Sequence, residues 1–263
     1  MYTHLFATAA GRKGCILLFL TFLCMQNLRA QTWAFQTGSN LTTFDFTNSA
    51  GQVVSGIKSG SGNLYGIQFQ QKLVDTSALL LTSSPWAIYF NQHPTLGKLL
   101  GKFQWALGIQ YNQYNAVGDA VNVAFSYQTD YLGFRPSLQF NQPIYKNLSL
   151  QAAGILQVNQ LLHGNQWVNN RFLDLKQDPQ FNGIQMMAGF QLGVQQMISE
   201  GLSLSLSYQQ MSTMQAGEVQ GTHLILRPKS FVFGIIFVFK MLYTAQSPHT
   251  ATFDSNIRVV CFI

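Results

Sequence analysis

A strict alternation of apolar and polar side chains limits what this chain can fold into. In the stretch LSLSLSYQQ, from Leu202 to Gln210, one set of alternate residues is Leu, Leu, Leu and Tyr, and the other is Ser, Ser, Ser and Gln. A period of two is typical of a β-strand whose faces lie in unlike surroundings. A soluble sheet would bury the leucines, whereas a membrane barrel would turn them to lipid and enclose the serines and glutamines.

The same alternation recurs in seven further segments separated by turn residues. These segments are TWAFQTGSNLTTFDF, LYGIQFQQK, FQWALGIQYN, YLGFRPSLQF, LSLQAAGILQV, GIQMMAGFQLGVQQ and SFVFGIIFVFK. Eight is an even strand number and the smallest size of a single-chain membrane barrel. We therefore predict an all-β fold, an eight-stranded antiparallel transmembrane up-and-down β-barrel over 31–240. The alternative is a β-sandwich, in which the Gln-rich and Asn-rich faces would be wet; such faces seldom lack charged residues.

The composition favours the barrel. Only 9% of the residues are charged and 13% are aromatic, whereas a soluble domain has about 25% charged residues. After residue 30, no stretch has the roughly 18–20 consecutive apolar residues of a membrane-spanning helix. An exported chain with few charges, many aromatic residues and no membrane helix fits a barrel of an outer membrane best.

The amino-terminal residues predict export. Arg12 and Lys13 precede the apolar run 14–24, and the sequence LRA at 28–30 suits a signal peptidase, so we expect 1–30 to be a signal peptide. Its removal takes away three basic residues and lowers the net charge from +6 to +3. No basic cluster remains that would indicate a nucleic-acid partner. We expect the carboxyl-terminal residues 241–263 to be a poorly ordered tail.

An even strand number puts both ends of the barrel on the periplasmic side, so long outer loops are expected at 47–62, 113–126, 160–183 and 210–228. One inner connection, the segment 74–102, is also long. Within it a short amphipathic helix is predicted, lying at the inner interface or plugging the barrel mouth, with extension of the flanking strands and no helix left open as the alternative. Because long connections usually have a role, 74–102 is also a candidate partner surface. The interface helix candidates are Leu96, Leu99, Leu100, Lys98 and Lys102.

Arg135 is the most informative single residue. Its position in the alternation points it into the lumen, where an unpaired charge is costly. We therefore predict a network of polar side chains around it that makes the lumen a sealed core, with trapped water alone as the alternative. The lumen network candidates are Arg135, Gln139, Gln110, Gln191, Gln157 and Asp45.

Two motif regions resemble a known family. YNQYNAVGD leads into FSYQTDYLGFRPSL, and RFLDLKQDPQF precedes a Gln-rich strand. These stretches are similar to the small Bacteroidota-type outer-membrane β-barrel proteins, the PorT-like barrel domain family, over about 31–240. The resemblance implies a barrel and an outer-membrane address but no activity. Such barrels usually end at an aromatic last strand, whereas this chain continues beyond Lys240.

No constellation predicts chemistry. His163 and His223 fall in expected outer loops without the spacing of a catalytic triad, so no enzyme activity, cofactor or metal is predicted. We expect a non-enzymatic outer-membrane barrel with a structural or interaction role through its extracellular loops or 74–102. The alternatives are a barrel that binds or transports a small solute or lipid, and a component of a secretion or surface-attachment system. The expected partners are membrane lipid and a protein at the outer loops or the periplasmic segment.

Overall fold

The strands of this protein pair in sequence order around a closed ring. The computed structural model describes residues 30–47, 50–52, 56–74, 92–120, 123–169, 171–214 and 223–240. The elements are β1 (Ala30–Thr47), β2 (Ile57–Lys72), α1 (Pro94–Leu100), β3 (Phe103–Ala120), β4 (Val123–Tyr145), β5 (Leu148–Val168), β6 (Arg171–Asp174), a 3-10 turn (Leu175–Gln177), α2 (Pro179–Asn182), β7 (Gln185–Ser199), β8 (Leu202–Thr213) and β9 (His223–Lys240).

Eight of these strands form the barrel wall. Each strand from β1 to β5 pairs antiparallel with the next, β5 pairs with β7, and β7, β8 and β9 continue the series. β9 lies beside β1, which closes the ring. β6 stands outside the ring and pairs with the far end of β5. The prediction of an eight-stranded antiparallel up-and-down barrel is confirmed.

The alternation sorts side chains between wall and lumen as predicted. On β8, Leu206 is 56% exposed, whereas Ser207 and Gln209 are buried. On β4, Phe134 is exposed on the outer wall and Arg135 is buried. Apolar side chains outside and polar side chains inside are the arrangement of a membrane-spanning barrel, not of a sandwich with wet polar faces.

Two bands of aromatic rings border the apolar part of the wall. Towards the end that carries the short turns at 146–147 and 200–201, rings pack between neighbouring strands at 5.2–5.5 Å in the pairs Trp33–Phe69, Phe69–Trp105 and Phe103–Phe140. Towards the opposite end, which carries the long loops, Tyr65 stacks on Tyr111 and Tyr208 packs on Phe231. Aromatic girdles of this kind mark the two interfaces of a bilayer.

A charge placed between the girdles tests this assignment. Phe134→Lys puts an ammonium group on the lipid face of β4, and we expect the free energy of unfolding in lipid to fall by about 2–4 kcal/mol. Gln128→Lys is the matched control, because Gln128 is exposed on the same strand beyond the girdle and should change stability by less than about 0.5 kcal/mol. Denaturant titration of the refolded proteins measures both values. Equal effects would contradict the assignment to lipid of the wall between the girdles, which we call the belt.

The strands extend well beyond this belt. A strand tilted by about 40° advances about 2.5 Å along the barrel axis per residue, so a belt about 25 Å tall needs about 10 residues. β3, β4 and β5 have 18, 23 and 21 residues. The extra length lies towards the long loops, so the segment 113–126, predicted to be a loop, is mostly strand.

The pattern of side chains reverses in this extension, which we call the loop half. Here most of the buried side chains are apolar, although Thr129 and Gln185 are buried among them. The apolar set is Phe44, Tyr114, Ala116, Tyr131, Leu161, Met187, Met211, Leu224 and Leu226. The outer wall carries polar groups such as Gln113, Asp130, His163, Arg227 and Lys229. A β-bulge in β5, opposite Asp130 and Tyr131, changes the direction of the β5 side chains, so that His163 lies on the outer wall. The prediction of a polar lumen therefore holds only for the half between the girdles.

The predicted helix of the segment 74–102 is present as α1. It begins at Pro94, a residue well suited to a first helical turn, and ends at Leu100, with Gly101 as its C-cap. Leu96 and Leu99 are 37% and 48% exposed, Lys98 is exposed and Leu100 is half-buried. Lys102 instead donates to Gln142 Oε1 at 2.8 Å, which ties the end of α1 to β4.

Of the helices among the described residues, none is long and apolar enough to cross a membrane. The predicted signal peptide 1–30 (apart from the first strand residue), the rest of the long inner connection at 75–91 and the predicted tail 241–263 lie outside the described residues.

Candidate functional site: the lumen

Arg135 lies at the centre of the polar half of the lumen. On β4 it stands between Phe140, which pairs with Phe103 at one girdle, and Leu132, which pairs with Tyr111 at the other. The side chain is only 2% exposed. A guanidinium is therefore held inside the barrel near the mid-plane of the belt, where hydration by bulk water does not reach it.

Four glutamine side chains from four different strands bind this guanidinium, and we call them the glutamine cage. Nη1 donates to Gln36 Oε1 at 3.1 Å on β1 and to Gln68 Oε1 at 2.9 Å on β2. Nη2 donates to Gln191 Oε1 at 2.5 Å on β7 and to Gln209 Oε1 at 3.2 Å on β8. One side chain of β4 thus joins both sides of the barrel.

Further hydrogen bonds orient the cage. Each amide nitrogen donates to another group of the lumen. Gln36 Nε2 donates to Gln68 Oε1, and Gln68 Nε2 donates to Ser137 Oγ. Gln191 Nε2 donates to Ser207 Oγ, and Gln209 Nε2 donates to Met211 Sδ. The amide oxygens are consequently the atoms that face the guanidinium. Hydrogen bonds to a charged donor are stronger than bonds between neutral groups, so the network stabilises the closed lumen.

The predicted network residues are only partly brought together. Gln191 belongs to the cage, whereas Gln110, Gln139 and Gln157 are buried in the lumen without a hydrogen bond to Arg135. The placement of Asp45 in the lumen is wrong. Its position in the alternation is outward, and its carboxylate pairs with Arg227 Nε at 3.0 Å on the outer wall.

Sequence reasoning missed Gln36, Gln68 and Gln209 as partners of Arg135. All three occupy inward positions of their strands, so the alternation does place them in the lumen. The alternation does not give their height along the barrel axis relative to Arg135, because that height depends on the stagger of the strands around the ring, the shear. Shear is a property of the closed sheet and not of any one strand.

An apolar plug closes the loop half of the lumen. Leu175 and Phe181, from the segment between β6 and β7, insert among the apolar side chains there and are 3% and 4% exposed. Phe181 stacks on Tyr127 at 5.8 Å between ring centroids and packs on Phe44 at 6.3 Å. Tyr131 Oη donates to the backbone oxygen of Phe181 at 3.5 Å.

Two aspartates shape the plug segment. Asp174 Oδ1 accepts from the backbone N–H of Lys176, and Asp178 Oδ1 accepts from that of Gln180, each at 2.9 Å. These caps start the 3-10 turn and α2, and Pro179 occupies the first position of α2. The spacing of aspartates in DLKQD therefore serves helix capping.

The inward glycines do not leave an open lumen. A Cβ built on Gly133 would lie 2.4 Å from both Gln157 Nε2 and Asn159 Oδ1, and one on Gly234 would lie 2.4 Å from Ser205 Oγ. The space that these glycines provide is occupied by side chains of the neighbouring strands. Glycine at these positions lets the side chains of the neighbouring strand lie over the backbone.

The polar groups of the outer wall do not assemble a reaction centre. His163 Nδ1 lies 3.8 Å from Asp130 Oδ2, and His163 Nε2 lies 3.2 Å from Asn165 Nδ2. All three side chains are on the outer wall and reach water. In the part of the chain that the structure describes, no group of three His, Cys, Asp or Glu side chains is placed to hold a metal ion.

Comparison with known proteins gives structural likenesses only. No family model matches the sequence, and no curated protein is significantly similar to it. Among solved structures, neisserial surface protein A is similar at 10% identity and a TM-score of 0.43, covering 79% of this chain and 96% of that one. The outer membrane protein OprG from Pseudomonas aeruginosa is similar at 12% identity and a TM-score of 0.38, covering 81% of this chain and 97% of that one.

The amino-terminal barrel domain of OprF from Pseudomonas aeruginosa is similar at 10% identity and a TM-score of 0.38, covering 80% of this chain and 98% of that one. The assignment of the barrel to this chain rests on its own strand pairing and on the distribution of its side chains.

Proposed function

We propose that this protein is a closed, non-enzymatic β-barrel of an outer membrane that acts through surfaces at its two ends. The observation that carries the proposal is the double closure of the lumen. The Arg135 network crosses the half between the girdles, and Leu175 and Phe181 pack into the loop half. A barrel closed in this way offers no continuous water path, so its role lies outside the lumen.

The outer-membrane address is supported by the barrel, the apolar wall and the two aromatic girdles. In this orientation the short turns face the periplasm and the loop half projects outward from the membrane. The outward end then presents a surface of exposed apolar residues around a shallow depression that Trp167 lines. This loop surface comprises Val117, Trp167, Phe172 and Leu173, each at least 46% exposed. Exposed apolar patches on a polar background favour contact with a protein partner.

At the opposite end, α1 is placed to contact lipid. Leu96 and Leu99 are exposed, and the chain enters the inner girdle at Phe103, three residues after the helix ends. An exposed apolar helix face beside a girdle is well placed to lie in the inner leaflet, with Lys98 near the headgroups. The helix α1 is accordingly proposed as a membrane-surface anchor.

Electrical recording of the refolded protein in planar bilayers tests the closed lumen. We expect folded protein, identified by heat-modifiable gel migration, to give no steady current because no water path crosses the barrel. Bilayers that receive an open porin under the same conditions are the control for incorporation. Steady open currents would contradict the proposal and favour the transport of a small solute.

A further inference from the structure

A group of buried polar atoms beside Arg135 lacks hydrogen-bond partners. In the described part of the chain, Arg135 Nε, both amide atoms of Gln110, Gln157 Oε1 and Asn159 Nδ2 are buried and make no hydrogen bond. Buried polar atoms in folded proteins are nearly always paired, with protein or with a bound small species. Five such atoms in one region indicate a bound species.

These atoms form one patch of the lumen wall. Gly108 of β3 pairs with Arg135, and Gln110 pairs with Gly133. On β5, Asn159 pairs with Gly133, and the register of the neighbouring pairs puts Gln157 opposite Arg135. The patch therefore covers β3, β4 and β5 around the base of the arginine side chain. The cage oxygens, by contrast, come from β1, β2, β7 and β8 and contact the guanidinium at its Nη atoms.

The charge of Arg135 is solvated by amide groups, and no carboxylate in the described part of the chain forms an ion pair with it. Ion pairs join His163 to Asp130 and Arg227 to Asp45, and neither includes Arg135. Amide oxygens stabilise a guanidinium through their dipoles but carry no net charge. A full positive charge inside a lipid-surrounded wall without a counter-charge is costly.

We propose that the lumen binds one small monovalent anion of the halide class between Arg135 Nε and the amide groups of Gln110 and Asn159. These three side chains offer N–H donors, which is the chemistry that an anion requires. Water would satisfy the same donors but would leave the arginine charge unbalanced. The side-chain oxygens of Gln110 and Gln157 accept hydrogen bonds from water beside the ion.

Bromide replaces chloride in such sites and can be located by its anomalous scattering. The full chain is refolded and crystallised in sodium bromide, and data are collected at the bromine absorption edge. We expect an anomalous peak within contact distance of Arg135 Nε. Arg227→Gln, which removes a positive charge from the outer wall, is the matched control and keeps the peak.

Gln110→Leu is the variant that removes one donor while leaving Arg135 and its cage in place. Because the side chain of Gln110 makes no hydrogen bond to protein, its replacement should not prevent folding, and the anomalous peak should weaken or disappear. In solution, the unfolding midpoint is compared in chloride and in a bulky anion at equal ionic strength. It should be higher in chloride for the unsubstituted protein and for Arg227→Gln. The rise should be reduced in Gln110→Leu. Density for water without anomalous signal, or an equal chloride response in Gln110→Leu, would overturn the proposal.

Discussion

Replacement of Arg135 with leucine is expected to lower the free energy of unfolding by about 3–5 kcal/mol, because each buried acceptor that loses its donor costs roughly 1–3 kcal/mol. The substitution leaves the oxygens of Gln36, Gln191 and Gln209 without a donor in a lumen that excludes bulk water, whereas Gln68 Oε1 keeps the hydrogen bond from Gln36. It also removes the guanidinium that links β4 to strands on the other side of the barrel. Denaturant titration of protein refolded in lipid vesicles, followed by gel mobility, measures the change.

Arg227→Leu is the matched control for this substitution. It also removes a guanidinium, but Arg227 is exposed on the outer wall, where its ion pair with Asp45 reaches water. Exposed ion pairs contribute at most about 1 kcal/mol, so the unfolding midpoint should barely move. If Arg135→Leu were as harmless as the control, the network would not be a source of stability.

Truncation of Phe181 to alanine is expected to lower the free energy of unfolding by about 3–5 kcal/mol, which is typical of a buried phenylalanine. The ring packs on both Phe44 and Tyr127 in the loop half, and its loss leaves a cavity that the β-strands of the wall cannot collapse to fill. The same titration measures the effect.

Phe172→Ala controls for the change of residue type within the same connection. Phe172 is 53% exposed and belongs to the loop surface rather than to the plug, so we expect a change of less than about 0.5 kcal/mol. Comparable losses for Phe172 and Phe181 would mean that the connection between β5 and β7 is stabilised as a unit and that Phe181 has no particular role in closing the lumen.

The sequence predicts the barrel because its evidence is local. Each strand between the girdles shows the period of two by itself, and charge at an inward position, as at Arg135, stands out against glutamine and serine. The helix at Pro94 is equally local, since Pro94 marks a start and the leucines follow at helical spacing. These features need no knowledge of which strand lies beside which.

The plug and the cage were not predictable in the same way. Leu175 and Phe181 lie in a connection with no strand alternation, and only the folded chain shows that this connection turns back into the barrel. Asp45 shows the opposite case, because its charge suggests a partner for Arg135 while its position in β1 is outward. The actual partners are neutral, and a search for opposite charges passes over them.

Strand lengths were underestimated for a related reason. The alternation does not stop at the outer girdle but changes phase, so that apolar residues move from outward to inward positions. On β3 they are outward at Trp105, Leu107 and Ile109 and inward at Tyr114 and Ala116. A search for one continuous phase ends at the change and assigns the rest of the strand to a loop.

This change of phase fixes the depth at which the protein sits. If the barrel moved outward, the ring of apolar side chains on the outer wall would leave the hydrocarbon and enter water. If it moved inward, Asp130, His163, Arg227 and Lys229 would enter the hydrocarbon, at a cost of up to about 2–4 kcal/mol for each basic group at the midplane. Both displacements are opposed, and the loop surface is therefore held at a constant height above the membrane.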